Sequence, residues 1–98
     1  MKITLCGTEY NVRLVWTKYF DNSNTAIQAV NDEGPVATLT VNPGIRYPQT
    51  HVVIKDYSEN EGALKSLIEA DVIAEPTAYV QVGWATCPVC KVLERKEV

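Results

Sequence analysis

Hydrophobic and polar residues alternate along most of this chain, which is the pattern of strands that bury one face. The alternation is clearest in Tyr10–Tyr19, where Val12, Leu14 and Trp16 fall on one side. β-Branched residues dominate Val36–Asn42 and predict another strand there. Four further segments bounded by turn residues are predicted strands: Lys2–Cys6, Thr25–Asn31, His51–Lys55 and Tyr79–Trp84.

The segment Thr86–Leu93 is predicted to be an edge strand. Pro88 lies within it, and proline has no amide to donate to a neighbouring strand. An edge strand leaves backbone groups available for pairing with another chain. Self-association as a homodimer through this edge is therefore one hypothesis.

A period of three to four residues appears after Ser58 and predicts one helix over about residues 59–71. Ser58 and Glu61 have the spacing of a capping box, in which each side chain bonds to the other residue's amide. The apolar positions of this helix form one narrow stripe: Leu64, Leu67 and Ile68. A helix this short is marginal alone, so its stripe requires a partner surface.

The order of these elements, with short connections, predicts an α+β fold. We expect an antiparallel sheet of about five to seven strands with one helix packed on one face. The stripe is expected to dock on the face that carries Val12, Leu14 and Trp16. A length of 98 residues predicts a single domain spanning residues 1–98.

The charge of the chain is unevenly distributed. The net charge is -3, but between Asp56 and Glu75 six acidic residues face one base, Lys65. A nucleic-acid-binding protein typically carries a basic stripe instead, so direct nucleic-acid binding is not expected. The candidate partner-binding residues are the acids of the predicted helix face: Glu59, Glu61, Glu69 and Asp71.

Two further candidates lie in the predicted loop from Ile45 to Thr50. Arg46 and Tyr47 are of residue types enriched at interface hot spots, although a plain exposed loop is the alternative interpretation.

Location is indicated by what the sequence lacks. No apolar run is long enough to cross a bilayer, and the start MKITLCGTEY has no apolar signal-peptide region. The expected compartment is the cytoplasm, with no membrane partner. An odd number of cysteines fits a compartment where thiols stay reduced.

The pair Cys87 and Cys90 forms a CxxC motif, which suits a redox dithiol or half of a zinc site. A redox dithiol needs a helix after its first cysteine, whereas this motif lies in a strand pattern close to the chain end. Cys6 and His51 are the remaining potential zinc ligands, and nothing in the sequence brings them near the pair. Two structural thiols are the favoured interpretation, with no cofactor expected and Cys87 and Cys90 as the metal ligands if there are any.

Catalysis finds little support in the residue pattern. The single histidine, His51, lies in a strand pattern without a glycine elbow, and neither type of glycine-rich phosphate loop is present. The sequence therefore predicts a protein that is not an enzyme.

Three segments carry a resemblance: VATLTVNPG, NEGALKSLIEADVIAEPT and VGWATCPVCKV. With them the chain resembles small uncharacterised proteins of phages and conjugative mobile elements of gut bacteria. The resemblance implies an origin in a mobile element and transfers no catalytic residue. Short acidic proteins of such elements often bind and block a larger host protein, as anti-CRISPR and other anti-defence proteins do.

The functional hypothesis is a protein-binding module that inhibits a host defence nuclease through its acidic helix face. Clustered carboxylates could imitate phosphates against a basic groove. The alternative is a zinc-stabilised structural protein, or a sheet protein that self-associates.

Overall fold

Residues 1–95, which the computed structural model describes, contain eight β-strands and one α-helix; residues 96–98 lie outside this range. The strands are β1 Lys2–Leu5, β2 Thr8–Asn11, β3 Arg13–Lys18, β4 Thr25–Asn31, β5 Gly34–Thr38, β6 His51–Val53, β7 Ala78–Val82 and β8 Ala85–Lys91. Helix α1, Ala63–Glu69, follows a single turn of 3-10 helix, Ser58–Asn60.

The strands form three small antiparallel sheets within the described range. β1 pairs with β2, β3 to β5 lie in the order β3-β4-β5, and the last three strands lie in the order β6-β8-β7. The predicted α+β character is confirmed. The prediction of one sheet of five to seven strands is wrong.

The sheets separate where the backbone changes its pairing partner. Val12 divides β2 from β3, and its amide donates to the Met1 carbonyl at 2.8 Å. β5 ends at Thr38, and Thr40 forms an isolated bridge to Ile54 of the next sheet. Side-chain alternation continues through these points because it records only which face a residue occupies. The pattern in Tyr10–Tyr19 and Val36–Asn42 therefore resembled single long strands.

The predicted edge strand Thr86–Leu93 is instead the centre of its sheet, since β8 pairs with both β6 and β7. Pro88 follows the last pair of the β6–β8 ladder, Val53 with Val89, so its missing amide costs only one bond at the end of that ladder. Its carbonyl still accepts a bond from the Ile54 amide at 3.0 Å. β7, which pairs only with β8, is an edge strand of this sheet.

Helix α1 is shorter than the predicted span of residues 59–71. Glu61 and Gly62 leave the helical region, with ψ 124° at Glu61 and φ 105° at Gly62, so the helix begins at Ala63. Leu67 is fully buried in the main core cluster, which also contains Val12 and Leu14.

The helix packs chiefly against β1, whereas the predicted partner face was that of Val12, Leu14 and Trp16. The Thr4 amide of β1 donates to the Ser66 hydroxyl at 3.0 Å. The stripe residues Leu64 and Ile68 are half-buried at the margin of the main core cluster, where they border a groove described below. No helix in residues 1–95 has the length and apolar character needed to span a membrane.

Candidate protein-binding grooves

The four predicted partner-binding acids do not form one helix face. Glu59 lies in the 3-10 turn, where it forms an ion pair with Lys55 that lowers its pKa, chiefly through the hydrogen bond from Lys55. Glu61 is exposed before the helix, and its carbonyl accepts a bond from the Cys6 amide at 2.7 Å. Asp71 is exposed beyond the helix in a left-handed conformation, with φ 59°. The predicted acidic helix face is therefore wrong for these three residues.

Glu69 is the predicted acid that lines a groove beside helix α1. This acidic groove, of about 400 Å³, runs beside helix α1. Leu64 and Ile68 give it apolar lining, and its polar lining residues are Asp56, Lys65, Glu69 and Glu75. Three carboxylates and one ammonium thus surround an apolar strip.

Asp56 is fixed in position by the start of helix α1. Its Oδ1 accepts hydrogen bonds from the Gly62 amide at 3.1 Å and from the Leu64 amide at 3.0 Å. These amides belong to the first turn, where backbone donors lack partners within the helix. The carboxylate that borders the groove is therefore also the cap of the helix.

A second groove adjoins the acidic groove and shares Asp56 and Leu64 with it. This aromatic groove has a volume of about 920 Å³ and is lined mainly by the 56–58 segment and the β7–β8 hairpin. Its apolar and aromatic lining includes Tyr57, Tyr79, Trp84 and Pro88. Exposed aromatic residues of this kind are enriched at protein interfaces.

Trp84 lies at the tip of the hairpin, in the two-residue turn between β7 and β8. Gly83 has φ 59°, which suits the first central position of a type II′ turn. Trp84 is 104% exposed and Tyr79 is 64% exposed, so the hairpin presents two large aromatic rings to solvent. Phe20, in another turn, is equally exposed but lines neither groove.

Arg46 and Tyr47 do not belong to either groove. Arg46 is exposed in its loop. Tyr47 packs against the second core cluster, made of Val53, Cys87 and Val89, and its amide donates to Asn24 Oδ1 at 2.7 Å. The structure thus gives Tyr47 a role in holding the loop to the body of the protein.

Cys87 and Cys90 are buried on opposite faces of β8. Cys87 packs in the second core cluster, whereas Cys90 packs in the main one. Burial raises the pKa of both thiols, that of Cys90 to about 11, with Glu75 and Asp56 adding to the effect at Cys90. Thiols on opposite faces cannot bind one ion, and a high pKa suppresses the thiolate that redox chemistry and metals require.

The remaining potential ligands do not complete a metal site. Cys6 is exposed in the turn between β1 and β2, and His51 Nδ1 shares a hydrogen bond with the Thr50 hydroxyl at 2.9 Å. Among residues 1–95, no group of three or more His, Cys, Asp or Glu side chains is arranged to hold a metal ion.

Sequence reasoning missed four of the residues at the grooves: Asp56, Glu75, Tyr79 and Trp84. The two acids were counted in the charge of the segment, but their placement at one groove depends on the tertiary fold. A signal for the aromatic pair was present, because no charged residue occurs between Pro76 and Cys90. A hairpin without charges, with tryptophan in its turn, marks a surface suited to contact.

Comparison of the chain with protein-family models, curated proteins and solved structures finds no match.

Proposed function

We propose that this protein is a non-enzymatic binding module that holds a basic segment of a partner protein in its acidic groove. The observation that carries the proposal is the arrangement of Glu69 and Glu75 beside the apolar strip of Leu64 and Ile68. A groove with this lining matches the side chains of lysine and arginine, whose long apolar stems end in a cation.

Charge at the margin of an apolar contact favours fast and selective association. Glu69 and Glu75 are exposed and take part in no ion pair within residues 1–95, so both carboxylates are available to a partner. Asp56 adds negative charge, but its Oδ1 is committed to the helix start. Glu59 is partly neutralised by Lys55 and lines a different groove. The groove therefore brings two available carboxylates, those of Glu69 and Glu75, to one place.

The more specific form of the proposal is inhibition of a host defence nuclease in the cytoplasm, in the manner of anti-CRISPR proteins. Its support is the acidic groove, which suits a basic nucleic-acid channel, together with the resemblance to phage and mobile-element proteins. The alternative of a zinc-stabilised protein is disfavoured because Cys87 and Cys90 face opposite sides of β8.

Two charge-neutralising double variants test the site. Glu69→Gln with Glu75→Gln removes two groove carboxylates, and Glu59→Gln with Glu61→Gln removes two acids outside it. The immobilised wild-type protein is used to capture partners from host lysate, and both variants are then compared for binding to the captured protein. We expect at least about a tenfold weaker affinity for the groove variant, equivalent to about 1.4 kcal/mol, and little change for the control.

Measuring partner binding at increasing salt, and with DNA added as a competitor, distinguishes the general proposal from its specific form. Binding through the groove weakens as salt rises, and a partner with a nucleic-acid channel also loses binding when DNA is added as competitor. Equal affinities for both variants would overturn the groove proposal. Binding that depends on the groove but is unaffected by DNA would support the protein-binding module. It would exclude the hypothesis that the groove imitates nucleic-acid phosphates.

A further inference from the structure

The outer side of strand β7 is an unprotected sheet edge. β7 pairs with β8 on one side, and residues 1–95 supply no strand on the other. Tyr79 lies opposite Pro88, and the Pro88 carbonyl faces the β6 side, where it accepts a bond from the Ile54 amide. Tyr79 and Pro88 are therefore a non-hydrogen-bonded pair. Bonding alternates along a strand, so the backbone groups of Tyr79 and Gln81 point away from β8.

The turn between β7 and β8 leads independently to the same assignment of inward-facing and outward-facing residues in β7. Val82 and Ala85 close a two-residue hairpin loop, and the closing pair of such a loop is hydrogen-bonded. Counting back from Val82, Val80 and Ala78 face β8, and Gln81 and Tyr79 face outward. The edge thus offers two amides and two carbonyls, on two residues placed symmetrically about Val80.

Natural edge strands are usually blocked by charge, proline or a bulge. β7 has none of these: its sequence is AYVQV, its pairing with β8 is regular, and no charged residue occurs between Pro76 and Cys90. The other outer strand of this sheet, β6, continues into the isolated bridge of Ile54 with Thr40. Within this sheet, the open edge is therefore confined to β7.

We infer that β7 pairs antiparallel with β7 of a second copy of this chain. The outward groups set the register: Tyr79 of each copy bonds to Gln81 of the other, and the two Val80 residues face each other on the twofold axis. The two three-stranded sheets then join into one sheet of six strands. This proposal concerns the β7 edge and stands independently of the acidic groove.

A second copy suits this edge better than a charged peptide does. The seam is uncharged on both sides, so pairing two copies brings no like charges together along the strands. Residues directly opposite in the antiparallel pair share a face, so Tyr79 and Gln81 of the two copies contact each other. Trp84 at the turn comes beside Pro76 and Thr77 of the second copy.

The contact area is compatible with a specific dimer. Two Trp84 and two Tyr79 side chains supply roughly 600–1,000 Å² if they become well buried, taking about 150–250 Å² for each aromatic residue. The paired five-residue strands add backbone and side-chain area on both faces. The total approaches the roughly 1,200 Å² of the smallest specific interfaces. We therefore expect a dimer that dissociates on dilution.

A matched pair of variants at Gln81 isolates the outward amide. Gln81→Pro removes that amide without affecting the β8 ladder, and Gln81→Ala keeps it. Both variants lose the same side-chain bonds, from Gln81 Nε2 to the Gly83 carbonyl and from the Thr86 hydroxyl to Gln81 Oε1. Sedimentation equilibrium across a hundredfold concentration range should show a monomer–dimer equilibrium that shifts to dimer as concentration rises for the wild type and Gln81→Ala, and monomer throughout for Gln81→Pro.

Cysteine pairing tests the register in a Cys6→Ser background. Ala78 lies opposite Val82 of the second copy, as a non-hydrogen-bonded pair about 4.5 Å apart between Cα atoms, which permits a disulfide. A mixture of the Ala78→Cys and Val82→Cys proteins should cross-link under mild oxidation, whereas either protein alone should not. Far-UV circular dichroism confirms that each variant is folded.

Three results would overturn the inference. The first is a wild-type protein that stays monomeric across the whole range, including one that takes an added strand peptide at β7 instead. The second is a Gln81→Pro variant that is folded and still dimeric. The third is cross-linking of Ala78→Cys alone as efficient as in the mixture, because that result requires a different register.

Discussion

The carboxylate of Asp56 accepts a hydrogen bond from the backbone amide of Leu64 at 3.0 Å and thereby caps helix α1. The cap residue lies eight positions before the amide that it binds, so a loop separates the two. Ser58, which has the sequence spacing of a cap, makes no side-chain cap bond at either helix. The start of the helix therefore depends on Asp56.

Asp56→Ala should destabilise the protein by about 1–2 kcal/mol, because it leaves the Gly62 and Leu64 amides without their acceptor. Ser58→Ala should change the free energy of unfolding by less than about 0.5 kcal/mol. Urea unfolding of the two variants measures both values. A Ser58 variant that is the less stable of the two would contradict this assignment of the cap.

The sequence could not distinguish these two caps. Ser58 and Glu61 fit a capping box, and a local pattern carries no information on a residue that approaches from outside it. Gly62 decides the outcome: its φ of 105° breaks the helix after Glu61 and brings its backbone against the Thr4 carbonyl of β1. The long-range contact between Gly62 and β1 thus sets where the helix begins.

Gly62→Ala should be the most damaging single-methyl addition in this region. The new Cβ would overlap the Thr4 carbonyl oxygen, and the positive φ adds strain. Gly34→Ala is the matched control, with φ 119° but open space around the new Cβ. We expect about 1–2 kcal/mol for Gly34→Ala from strain alone, and about 1–3 kcal/mol more for Gly62→Ala from overpacking. Thermal unfolding measures the stability of both variants. Equal losses of stability would show that the close contact with the Thr4 carbonyl oxygen does not contribute.

The sequence predicted which segments are extended, but it did not predict which strands pair with each other. The alternation in Val36–Asn42 correctly indicated extended chain, but β5 ends at Thr38 because Thr40 bridges to Ile54. Pro88 indicated an edge, yet it lies at the end of the β6–β8 ladder, where a missing donor costs only one bond. Each difference depends on where a neighbouring strand stops, which a local pattern does not contain. The same reason explains why Glu75 and Asp56 were not predicted to line one groove.

The burial of Leu67 was predictable from the apolar stripe, whereas Leu64 and Ile68 of the same stripe are only half-buried. Two variants test the orientation of the helix. Leu67 is fully buried, so Leu67→Ala should cost about 2–5 kcal/mol from lost transfer energy and the remaining cavity. Glu69 is exposed, and Glu69→Gln should have an effect within about 0.5 kcal/mol. Urea melts compare the two. A similar loss for both would mean that Leu67 does not pack in the core.

Asn24 should be the polar side chain on which the loop before β6 most depends. It is buried, its Nδ2 donates to the Ile45 carbonyl at 2.8 Å, and its Oδ1 accepts from the Tyr47 amide at 2.7 Å. Asn24→Ala leaves both backbone groups unpaired and should cost about 1–3 kcal/mol. Asn31→Ala is the control, because that side chain bonds to the exposed Glu33 amide. Faster amide exchange at Tyr47 in the Asn24 variant alone would support this role; unchanged exchange there would contradict it.

The stability of the protein should fall as pH rises above about 8.5, and Cys90 should be a main cause. Burial raises the pKa of Cys90 to about 11, with Glu75 and Asp56 adding to the effect. The same thiol in the unfolded chain titrates near 8.5. Between these pH values the unfolded state has lost a proton that the folded state retains, so unfolding becomes more favourable as pH rises.

The Cys90 contribution is complete below the unfolded pKa and is lost as pH rises through the folded pKa. The slope should approach about 1.4 kcal/mol per pH unit between the two values. Cys90→Ala lowers stability at every pH through its cavity, but its unfolding free energy should decline less steeply above pH 8.5. Cys6→Ala, at an exposed thiol, should keep the wild-type slope. Denaturant melts from pH 7 to pH 11 give the three slopes, and parallel curves for wild type and Cys90→Ala would show that Cys90 does not titrate in this way.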